Sequence, residues 1–422
     1  MKILHTSDWH LGKTLENISR IEEQRQFIDE LCNIVEMEQI DLVLIAGDIF
    51  DTYNPSSAAE ELFYNAIDRL NNKGQRALVV IAGNHDSPDR LCAASPLTYK
   101  NGVILLGYPK SNAGAYKTAG SQISIVNSGA GWLELKLPKY QYNAVILSLP
   151  YPSESRLEEV ITLAADSENL QQNYSNKIGA ILQELSSNFR DDTVNLVISH
   201  LFMREGKISD SERQLGGALM VDPEAIPSKA HYVALGHLHR PQQVKGCKAP
   251  SYYSGSPLAY SFSEVNYCKA VYMVTAEPGK ASEVKEINLS SGKPLKRWEA
   301  LNGMPEALRW CEEGRDINAW IDLEIHTDKI IGSEEQKQLR ELHPGIINIR
   351  PKLINQQEYS MDYTNRETKR IDELFREYYK SSLGMEASEE LMDLFLSIAN
   401  QDATEETKEI EAGGEEFETK IS

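Results

Sequence analysis

Short apolar runs and amphipathic stretches alternate along the first half of the chain. Runs of roughly four to eight residues rich in Val, Ile and Leu are typical of strands that are buried on both faces. Five such runs occur, at Lys2–His5, Leu42–Ala46, Ala77–Ala82, Val194–Ile198 and Tyr232–Leu235. Between the first three runs, Ile21–Val35 and Ala58–Asn71 place their apolar residues on one helical face. The pattern therefore predicts an α/β domain.

Each of the five runs ends in a cluster of polar residues. The clusters are Asp8-Trp9-His10, Gly47-Asp48, Gly83-Asn84-His85-Asp86, Ser199-His200 and Gly236-His237-Leu238-His239. Open α/β sheets hold their ligands at the carboxyl ends of their strands. If the five strands lie side by side, the polar groups share one rim, and the sequence predicts a single site there.

The side chains in these clusters are typical metal ligands. Carboxylate, amide oxygen and imidazole together suit borderline and hard divalent ions such as Mn²⁺, Fe²⁺ or Zn²⁺. The clusters contain no cysteine, which argues against a tetrahedral thiolate zinc site. Seven candidate ligands are too many for one ion, but they suit two ions with one shared ligand. Two ions ~3.5–4 Å apart form a clamp for in-line phosphoryl displacement.

The five clusters, in this order, resemble the motifs of the calcineurin-like metallophosphoesterase superfamily over the range Met1–Tyr260. This resemblance implies two β-sheets packed face to face with helices outside. Three longer segments resemble the nuclease subunits of bacterial complexes that pair a nuclease with a coiled-coil ATPase; they read LHTSDWHLGK, AGDIFDTYNPS and SDSERQLGGALMVDPEAIP. The narrower resemblance implies a double-strand exonuclease and single-strand or hairpin endonuclease that acts on DNA in replication, recombination and repair. It also implies a homodimer of this chain within a heterotetramer.

The superfamily pattern further implies a role for each residue of the clusters. Metal one would be held by Asp8, His10, Asp48 and His239. Metal two would be held by Asp48, Asn84, His200 and His237, so that Asp48 bridges the two ions. His85 would contact the scissile phosphate and help to protonate the leaving oxygen, and Asp86 could orient its imidazole. The expected cofactors are two divalent metal ions, with Mn²⁺ favoured and Mg²⁺ or Fe²⁺ as alternatives.

Three basic residues that follow His200 are candidates for contacts with the substrate. Arg204 and Lys207 follow this ligand closely, and we expect them to contact the DNA backbone rather than water alone. Arg213 lies in the loop Ser209–Pro227, between two strands that carry ligands, and loops at such a rim often position substrate. Arg213 could bind a phosphate or pair with its acidic neighbours, and the sequence favours neither.

Other residues near the clusters receive a structural interpretation. His5 faces away from Asp8 in strand alternation, which favours a position in the core or behind the ligands. Asp51 follows Asp48 closely and is expected to cap the loop rather than bind metal. Trp9 either packs in the core or stacks on a base of the substrate.

The middle of the chain changes pattern after residue 102. Leu133, Leu135 and Leu137 alternate with polar residues, as in a half-buried strand. Arg156–Arg190 is predicted to be helical, with a candidate break at the polar stretch Ser167–Ser175. Further strands are expected at Val145–Leu149, Ser251–Ser256, Lys269–Thr275 and Glu283–Leu289.

Ser290–Pro294 has the composition of a linker and divides the chain. We expect a nuclease domain over residues 1–290, a small α+β capping domain over 295–353, a helical partner-binding segment over 364–401 and an acidic, disordered tail over 402–422. The capping domain is predicted to contain helices at Pro305–Glu313 and Glu334–Glu341 and strands at Ala319–Ile325 and Ile346–Pro351. By resemblance, this domain contacts DNA and restricts access to the metals.

Two candidate helices at Glu367–Ser381 and Ser388–Gln401 carry apolar stripes that must be covered. They pack either on the capping domain or, as the resemblance implies, on the base of the coiled coil of the ATPase. The chain has no Gly-x-x-x-x-Gly-Lys-Ser/Thr motif, so ATP hydrolysis is assigned to that partner.

Composition predicts a globular cytoplasmic protein. Of the 422 residues, 41% are hydrophobic and 25% are charged, and no apolar run reaches the ~18–20 residues that a membrane span needs. The N-terminus lacks the pattern of a signal peptide because Asp8 interrupts the apolar stretch. The five cysteines form no CxxC pair and are odd in number, which predicts reduced thiols.

The net charge of −20 is unusual for a protein that binds nucleic acid. Residues 401–422 contain eight acidic residues and two lysines, so only part of this charge belongs to the tail. We therefore expect modest DNA affinity, supplied by bound cations, local basic residues and a partner. Two other functions remain open: a phosphoesterase for small molecules or phosphoproteins, and a non-catalytic scaffold.

Overall fold

The computed structural model describes residues 1–117, 123–157, 167–207, 219–265, 267–329, 331–354, 372–376, 379, 388, 391–392 and 394–396. The chain divides into two compact units. The first unit comprises Met1–Arg297 and Asp316–Asp322, and the second comprises Trp298–Arg315 and Leu323–Ser422.

Two sheets form the centre of the first unit. Its described strands are β1 (Lys2–Thr6), β2 (Thr14–Leu15), β3 (Ile18–Ser19), β4 (Leu42–Ala46), β5 (Ala77–Ile81), β6 (Val103–Leu106), β7 (Tyr116–Lys117), β8 (Ser124–Gly129), β9 (Trp132–Lys136), β10 (Ala144–Leu149), β11 (Val194–His200), β12 (Tyr232–Gly236), β13 (Gln242–Gln243), β14 (Ser251–Tyr253), β15 (Ala270–Thr275) and β16 (Glu283–Asn288). Its described α-helices are α1 (Ile21–Met37), α2 (Ser57–Asn71), α3 (Pro88–Cys92), α4 (Ser95–Thr98), α5 (Glu154–Leu157) and α6 (Ser167–Leu185).

Both sheets combine parallel and antiparallel pairing. The six-stranded sheet has the order β16-β15-β1-β4-β5-β6, with β1, β4, β5 and β6 parallel to one another. The eight-stranded sheet has the order β13-β14-β12-β11-β10-β9-β8-β7, with β10, β11, β12 and β14 parallel. All five apolar runs are therefore parallel strands at the centre of a sheet. This confirms the expected two-sheet α/β fold.

Three hydrophobic layers explain why these strands are apolar throughout. In β4, Leu42 and Leu44 face a core that they share with Leu196 and Ile198 of β11, so this layer lies between the two sheets. Val43 and Ile45 point to the opposite face, where residues of α1 and α2 cover the six-stranded sheet. A third core lies between the other face of the eight-stranded sheet and α6. Strands with both faces buried cannot show polar alternation.

Two predictions for this unit need correction, and one open alternative is decided. Helix α6 runs without a break through Ser167–Ser175. Strand β9 is not half-buried at Glu134, which is only 6% exposed because Arg190 pairs with its carboxylate at 2.6 Å. Trp9 packs fully buried against Phe27 and Phe63, so it is a core residue rather than a base-stacking one.

The predicted capping domain begins with a strand that the sequence pattern did not suggest. This strand, β17 (Leu295–Ala300), joins β18 (Trp320–Thr327) and β19 (Ile346–Leu353) in a three-stranded sheet of that order. The associated helices are α7 (Met304–Glu312) and α8 (Ser333–Leu342). The other predicted elements of this region occur within two residues of their expected bounds.

The predicted C-terminal helices lie mostly outside the described residues, and the predicted tail lies wholly outside them. Of the described residues in this region, Phe375 stacks on Phe395 with ring centroids 3.9 Å apart. No helix in the described part of the chain is both long enough and apolar enough to cross a membrane. All five cysteines are free thiols.

Candidate metal centre

The five polar clusters meet where the parallel strands of both sheets end. The loops after β1 and β4 are joined by backbone hydrogen bonds from Asp8 to Gly47 at 3.0 Å and from His10 to Asp48 at 3.0 Å. The two sheets are joined by His200, whose Nδ1 donates to the carbonyl of Ala46 at 2.9 Å. The five clusters therefore share one rim, as predicted, but two sheets form this rim rather than one.

One group of donor atoms lies around His10. Its Nε2 is 3.0 Å from Nε2 of His239 and 3.6 Å from Oδ2 of Asp48. Asp8 belongs to the same group, because its carboxylate and the donor atoms of His10 and His239 all lie within 4.8 Å of one another. Two imidazole nitrogens and two carboxylates therefore face one small volume.

A second group lies around Asn84. Its Oδ1 is 2.8 Å from Nε2 of His200 and 3.0 Å from Nδ1 of His237. Nε2 of His200 is also 3.5 Å from Oδ2 of Asp48. The Oδ2 atom of Asp48 consequently faces both groups, while its Oδ1 accepts the backbone N–H of His85 at 2.9 Å. One carboxylate oxygen is thus placed between two sets of donors.

Four non-glycine residues of this rim have positive φ angles. Asp8, His10 and Asp48 have φ angles of 53°, 45° and 49°, and His237 has a φ of 110°. Residues other than glycine adopt such angles infrequently, and strained positions of this kind are enriched at functional sites. Gly236 permits the close approach of the two sheets, since a Cβ there would lie 1.8 Å from the carbonyl oxygen of Ala46. Gly236 is therefore needed because any larger side chain would collide with the neighbouring sheet.

Burial and crowding shift the pKa values of the cluster in opposite directions. Burial raises the pKa of Asp8 to about 6 and lowers the pKa values of His10 and His237 to about 4 and about 3. Burial would also raise the pKa of Asp48, but the imidazoles of His200 and His10 outweigh it and hold that pKa well below its ordinary value. Burial thus favours neutral imidazoles at His10 and His237. Burial would also lower the pKa of His200, but the carboxylate of Asp48 outweighs it and raises that pKa to about 9.

His85 differs from the surrounding residues in its contacts and exposure. Its Nδ1 lies 2.7 Å from the backbone carbonyl of Asp51, and its side chain is half-buried, whereas Asp8, His10 and Asp48 are buried. A carbonyl can only accept, so Nδ1 carries the proton in this bond and Nε2 remains for another partner. His85 therefore stands on the more open side of the cluster.

The predicted contact between Asp86 and His85 is wrong. The carboxylate of Asp86 accepts the backbone N–H groups of Ile49 at 3.1 Å, Phe50 at 2.9 Å and Gly83 at 2.8 Å. These bonds use both oxygens and turn the carboxylate into the protein interior, where it joins the loops after β4 and β5. Asp86 is a structural residue of the rim, and the carbonyl of Asp51 orients the imidazole.

The chain is similar in sequence to proteins and protein families that are already known. Residues 1–241 match the calcineurin-like phosphoesterase family, and residues 291–382 match a family described as the type 5 capsule protein repressor C-terminal domain. The SbcD subunit of the SbcCD nuclease of Bacillus subtilis (strain 168) is 45% identical over 413 residues, which cover 97% of this chain and 100% of that protein. The chain belongs to the SbcD family of calcineurin-like phosphoesterases.

Two further matches are more distant. The SbcD subunit of the SbcCD nuclease of Staphylococcus epidermidis (strain ATCC 12228 / FDA PCI 1200) is 28% identical, with 90% of this chain and 93% of that protein covered. Among solved structures, the protein TT1561 of Thermus thermophilus matches 68% of this chain and 99% of its own at 9% identity. Its TM-score of 0.35 is too low to bear on the fold.

Membership of the SbcD family implies divalent metal ions, and the donor set fits them. Two ring nitrogens only 3.0 Å apart, on His10 and His239, face buried carboxylates rather than hydrogen-bond donors. Imidazole, carboxylate and amide oxygen are a combination that suits divalent ions such as Mn²⁺ and Fe²⁺. The family and the geometry together identify a metal-dependent hydrolase.

A third group of possible metal ligands comprises His10, Asp51 and His85. Its carboxylate already has a cationic partner within the chain. The ammonium of Lys13 bonds Oδ1 of Asp51 at 2.7 Å and already supplies the positive charge that this carboxylate requires. The expectation that Asp51 is a loop residue agrees with this pairing. His5 is likewise held in the core, between the hydroxyl of Tyr232 at 2.9 Å and the carbonyl of Leu235 at 3.1 Å.

The three predicted substrate contacts have different surroundings. Arg204 is paired with Asp222 through its Nε, so its charge is partly neutralised. Lys207 is exposed. Arg213 lies outside the described residues, and its two alternatives stay open.

Two kinds of supporting residue were missed by the sequence analysis. Arg156 of α5 donates to the carbonyls of Gly83 at 2.6 Å and Asp86 at 2.7 Å, and so brackets the loop that carries Asn84 and His85. Glu264 lies behind His239, in an ion pair with Lys269. All three are far from the five clusters in sequence, and no local pattern marked them.

Proposed function

We propose that this chain is the nuclease subunit of an SbcCD-type complex. It acts as a two-metal phosphodiesterase that degrades double-stranded DNA from its ends and cuts single strands and hairpins, during replication, recombination and repair. The observation that carries the proposal is the placement of Asp48 Oδ2 between His10 Nε2 at 3.6 Å and His200 Nε2 at 3.5 Å. One oxygen that faces two donor sets suits a carboxylate shared between two ions ~3.5–4 Å apart.

The ligands divide into two sets that share one carboxylate. Asp8, His10, Asp48 and His239 would hold one ion, and Asp48, Asn84, His200 and His237 would hold the other. Mn²⁺ is the proposed ion, with Mg²⁺ and Fe²⁺ as alternatives. When bound, the two ions polarise the phosphate, lower the pKa of water and offset the charge that develops in an in-line displacement.

The residues of the chain orient the reactants and move one proton. His85 keeps Nδ1–H on the carbonyl of Asp51, which leaves Nε2 free to face the substrate. In the imidazolium form, Nε2–H would give its proton to the departing 3′-oxygen and leave the neutral ring with its proton on Nδ1. Arg156 holds the backbone on both sides of His85 and so limits its displacement. Lys207 is proposed to contact the DNA backbone, and Arg213 is a candidate for such a contact beside its alternative of pairing with acidic neighbours. Arg204 can contact the backbone only in competition with Asp222.

The remaining parts of the chain are assigned to partners. Residues 295–353 form the capping domain that contacts DNA, and residues 364–401 bind an SbcC-type coiled-coil ATPase. Residues 291–382 match a second family, and this match supports a functional role for the region that follows the catalytic domain. We propose a homodimer of this chain within a heterotetramer that works in the cytoplasm.

The test compares two substrates with the same metal. The full chain, with and without its coiled-coil ATPase, is assayed with Mn²⁺ on a DNA hairpin and on a small chromogenic phosphodiester. The proposal expects cleavage of the hairpin that is lost in Asp48→Ala. Efficient cleavage of the small ester without cleavage of DNA would instead favour the small-molecule phosphoesterase, and failure to cleave either would favour a scaffold.

A further inference from the structure

A buried ion pair lies behind one of the proposed ligands, outside the part of the chain that matches the calcineurin-like phosphoesterases. Glu264 ends a short 3₁₀ helix, Phe262–Glu264, and Lys269 immediately precedes β15. The two residues are 1% and 8% exposed. Their position beyond residue 241 means that the motifs of the wider superfamily do not include them.

The pair contacts His239 at both ends. Oε1 of Glu264 lies 3.7 Å from Nδ1 of the imidazole, a distance at which the carboxylate acts on the ring mainly through its charge. The ammonium of Lys269 donates to the backbone carbonyl of His239 at 3.1 Å and to Oγ of Ser256 at 2.8 Å, and it forms the ion pair with Oε2 of Glu264. All three N–H groups of the ammonium are thus used.

The side of His239 that faces Glu264 is opposite to the side that faces the metal centre. Nε2 of the ring is 3.0 Å from Nε2 of His10. A carboxylate beside the other ring nitrogen favours the proton on Nδ1, leaves Nε2 as a lone-pair donor and increases the basicity of the ring. His200 lacks this assistance, because its Nδ1 donates to the neutral carbonyl of Ala46.

Fold stability alone does not account for such a pair. Removing two charges from water costs several kcal/mol per ion, and buried pairs are often replaceable by apolar residues of similar size without loss of stability. A buried pair that contacts both the imidazole and the backbone of one ligand restricts the rotation of the ring. It restricts the movement of the loop as well.

We propose that Glu264 and Lys269 are positioning residues for His239, which hold its Nε2 towards Asp8 and His10 and strengthen metal one selectively. The proposal rests on the proposed function only in taking His239 as a ligand. It does not depend on which phosphodiester the enzyme cleaves.

The test measures metal binding rather than cleavage. Mn²⁺ is titrated into the metal-depleted full chain by isothermal calorimetry, for the wild type, Glu264→Gln and the double variant Glu264→Gln/Lys269→Met. The double variant leaves no unpaired buried charge, so it remains informative if the single variant folds poorly. Changes of residues behind a ligand typically cost about 10–100-fold in metal affinity, and we expect a loss of this size at one of two sites.

Two controls separate positioning from general damage. Glu134→Gln removes a carboxylate that is also buried and ion-paired, with Arg190, and should leave both Mn²⁺ affinities unchanged. In a His239→Ala background, Glu264→Gln should have no further effect on metal affinity, because the residue through which it acts is gone. Thermal unfolding of each metal-depleted variant reports the structural cost by itself.

Each outcome bears on one proposal. Wild-type Mn²⁺ affinities in both folded Glu264 variants, or an equal loss at both sites, would overturn the positioning role. An unchanged Glu264→Gln effect in the His239→Ala background would overturn it as well. A wild-type chain that binds two Mn²⁺ ions but cleaves no DNA would refute the proposed function and leave the positioning role standing.

Discussion

Replacing His85 by glutamine should separate catalysis from metal binding. His85 contributes no atom to the two groups around His10 and Asn84, and its Nδ1 is engaged with the carbonyl of Asp51 at 2.7 Å. The amide of glutamine can donate to the same carbonyl, but it cannot deliver a proton to a leaving oxygen. Loss of a positioned general acid typically lowers the rate by about 10²–10⁴-fold. At about 1.4 kcal/mol per factor of ten, the barrier rises by about 3–5 kcal/mol.

Replacing Asp48 by alanine should abolish metal binding as well as cleavage. The change removes the oxygen that lies 3.6 Å from Nε2 of His10 and 3.5 Å from Nε2 of His200, so both donor sets lose a carboxylate. It also removes the acceptor for the backbone N–H of His85. We therefore expect Asp48→Ala to lose both metal ions, and cleavage with them.

The assay pairs metal quantification with cleavage of a DNA hairpin. Each variant is loaded with Mn²⁺, desalted and analysed by mass spectrometry of the bound metal, and its rate is then measured at saturating Mn²⁺. Circular dichroism melts confirm that each variant is folded. A His85→Gln protein without metal, or an Asp48→Ala protein that is still fully loaded, would refute the assigned roles.

Three further predictions follow from individual contacts. Arg156→Met removes both hydrogen bonds to the loop of His85 and should slow hairpin cleavage by up to about 10²-fold, measured at saturating Mn²⁺, because small misplacements of catalytic groups have effects of this size. Gly236→Ala should destabilise the fold by about 1–3 kcal/mol or more in urea titrations, since its Cβ would meet the carbonyl of Ala46, whereas Gly179→Ala in α6 meets only ordinary contacts and should be neutral or stabilising. Asp41→Asn should cost about 1.5–3 kcal/mol at pH 7, because the carboxylate accepts charged and neutral hydrogen bonds from Lys139, Tyr140 and the backbone of Lys2. Burial would raise the pKa of Asp41, but these bonds outweigh it and lower that pKa. The stabilisation is therefore fully present above the unfolded pKa of about 3.9, declines below it and is lost as the pH falls through the lower folded pKa. An Asp41→Asn effect at pH 3 as large as that at pH 7 would contradict this reasoning.

The parallel strands and the rim were predictable because the information is local. A strand that is buried on both faces must be apolar along its length, as in Leu42–Ala46, and its end must be polar where it lines a site. The ligand groups could be listed for the same reason: each follows its strand directly. The arrangement of those strands in two sheets came from the family resemblance, since periodicity does not specify which strands pair.

Supporting residues were not predictable, because their partners are remote in sequence. Asp86 was expected to orient the imidazole of His85 as its acidic partner, but its carboxylate is turned towards the backbone of Ile49 and Phe50. Arg156 and Glu264 reach the rim from other elements, and nothing in the residues around them indicates a target. Strand β17 was missed for a different reason: Lys296, Arg297 and Glu299 interrupt its apolar residues and obscure the strand pattern.

The distribution of charge links the proposed metals to the proposed partner. Binding to DNA draws most of its affinity from cations that neutralise phosphates, yet this chain carries a net charge of −20. One of its expected phosphate contacts, Arg204, is already paired with Asp222. Two divalent ions at the rim would then provide much of the local attraction, and they do so only where a phosphodiester reaches the active site. We infer that such a subunit holds DNA weakly by itself and cuts faster where a DNA-binding ATPase delivers the strand.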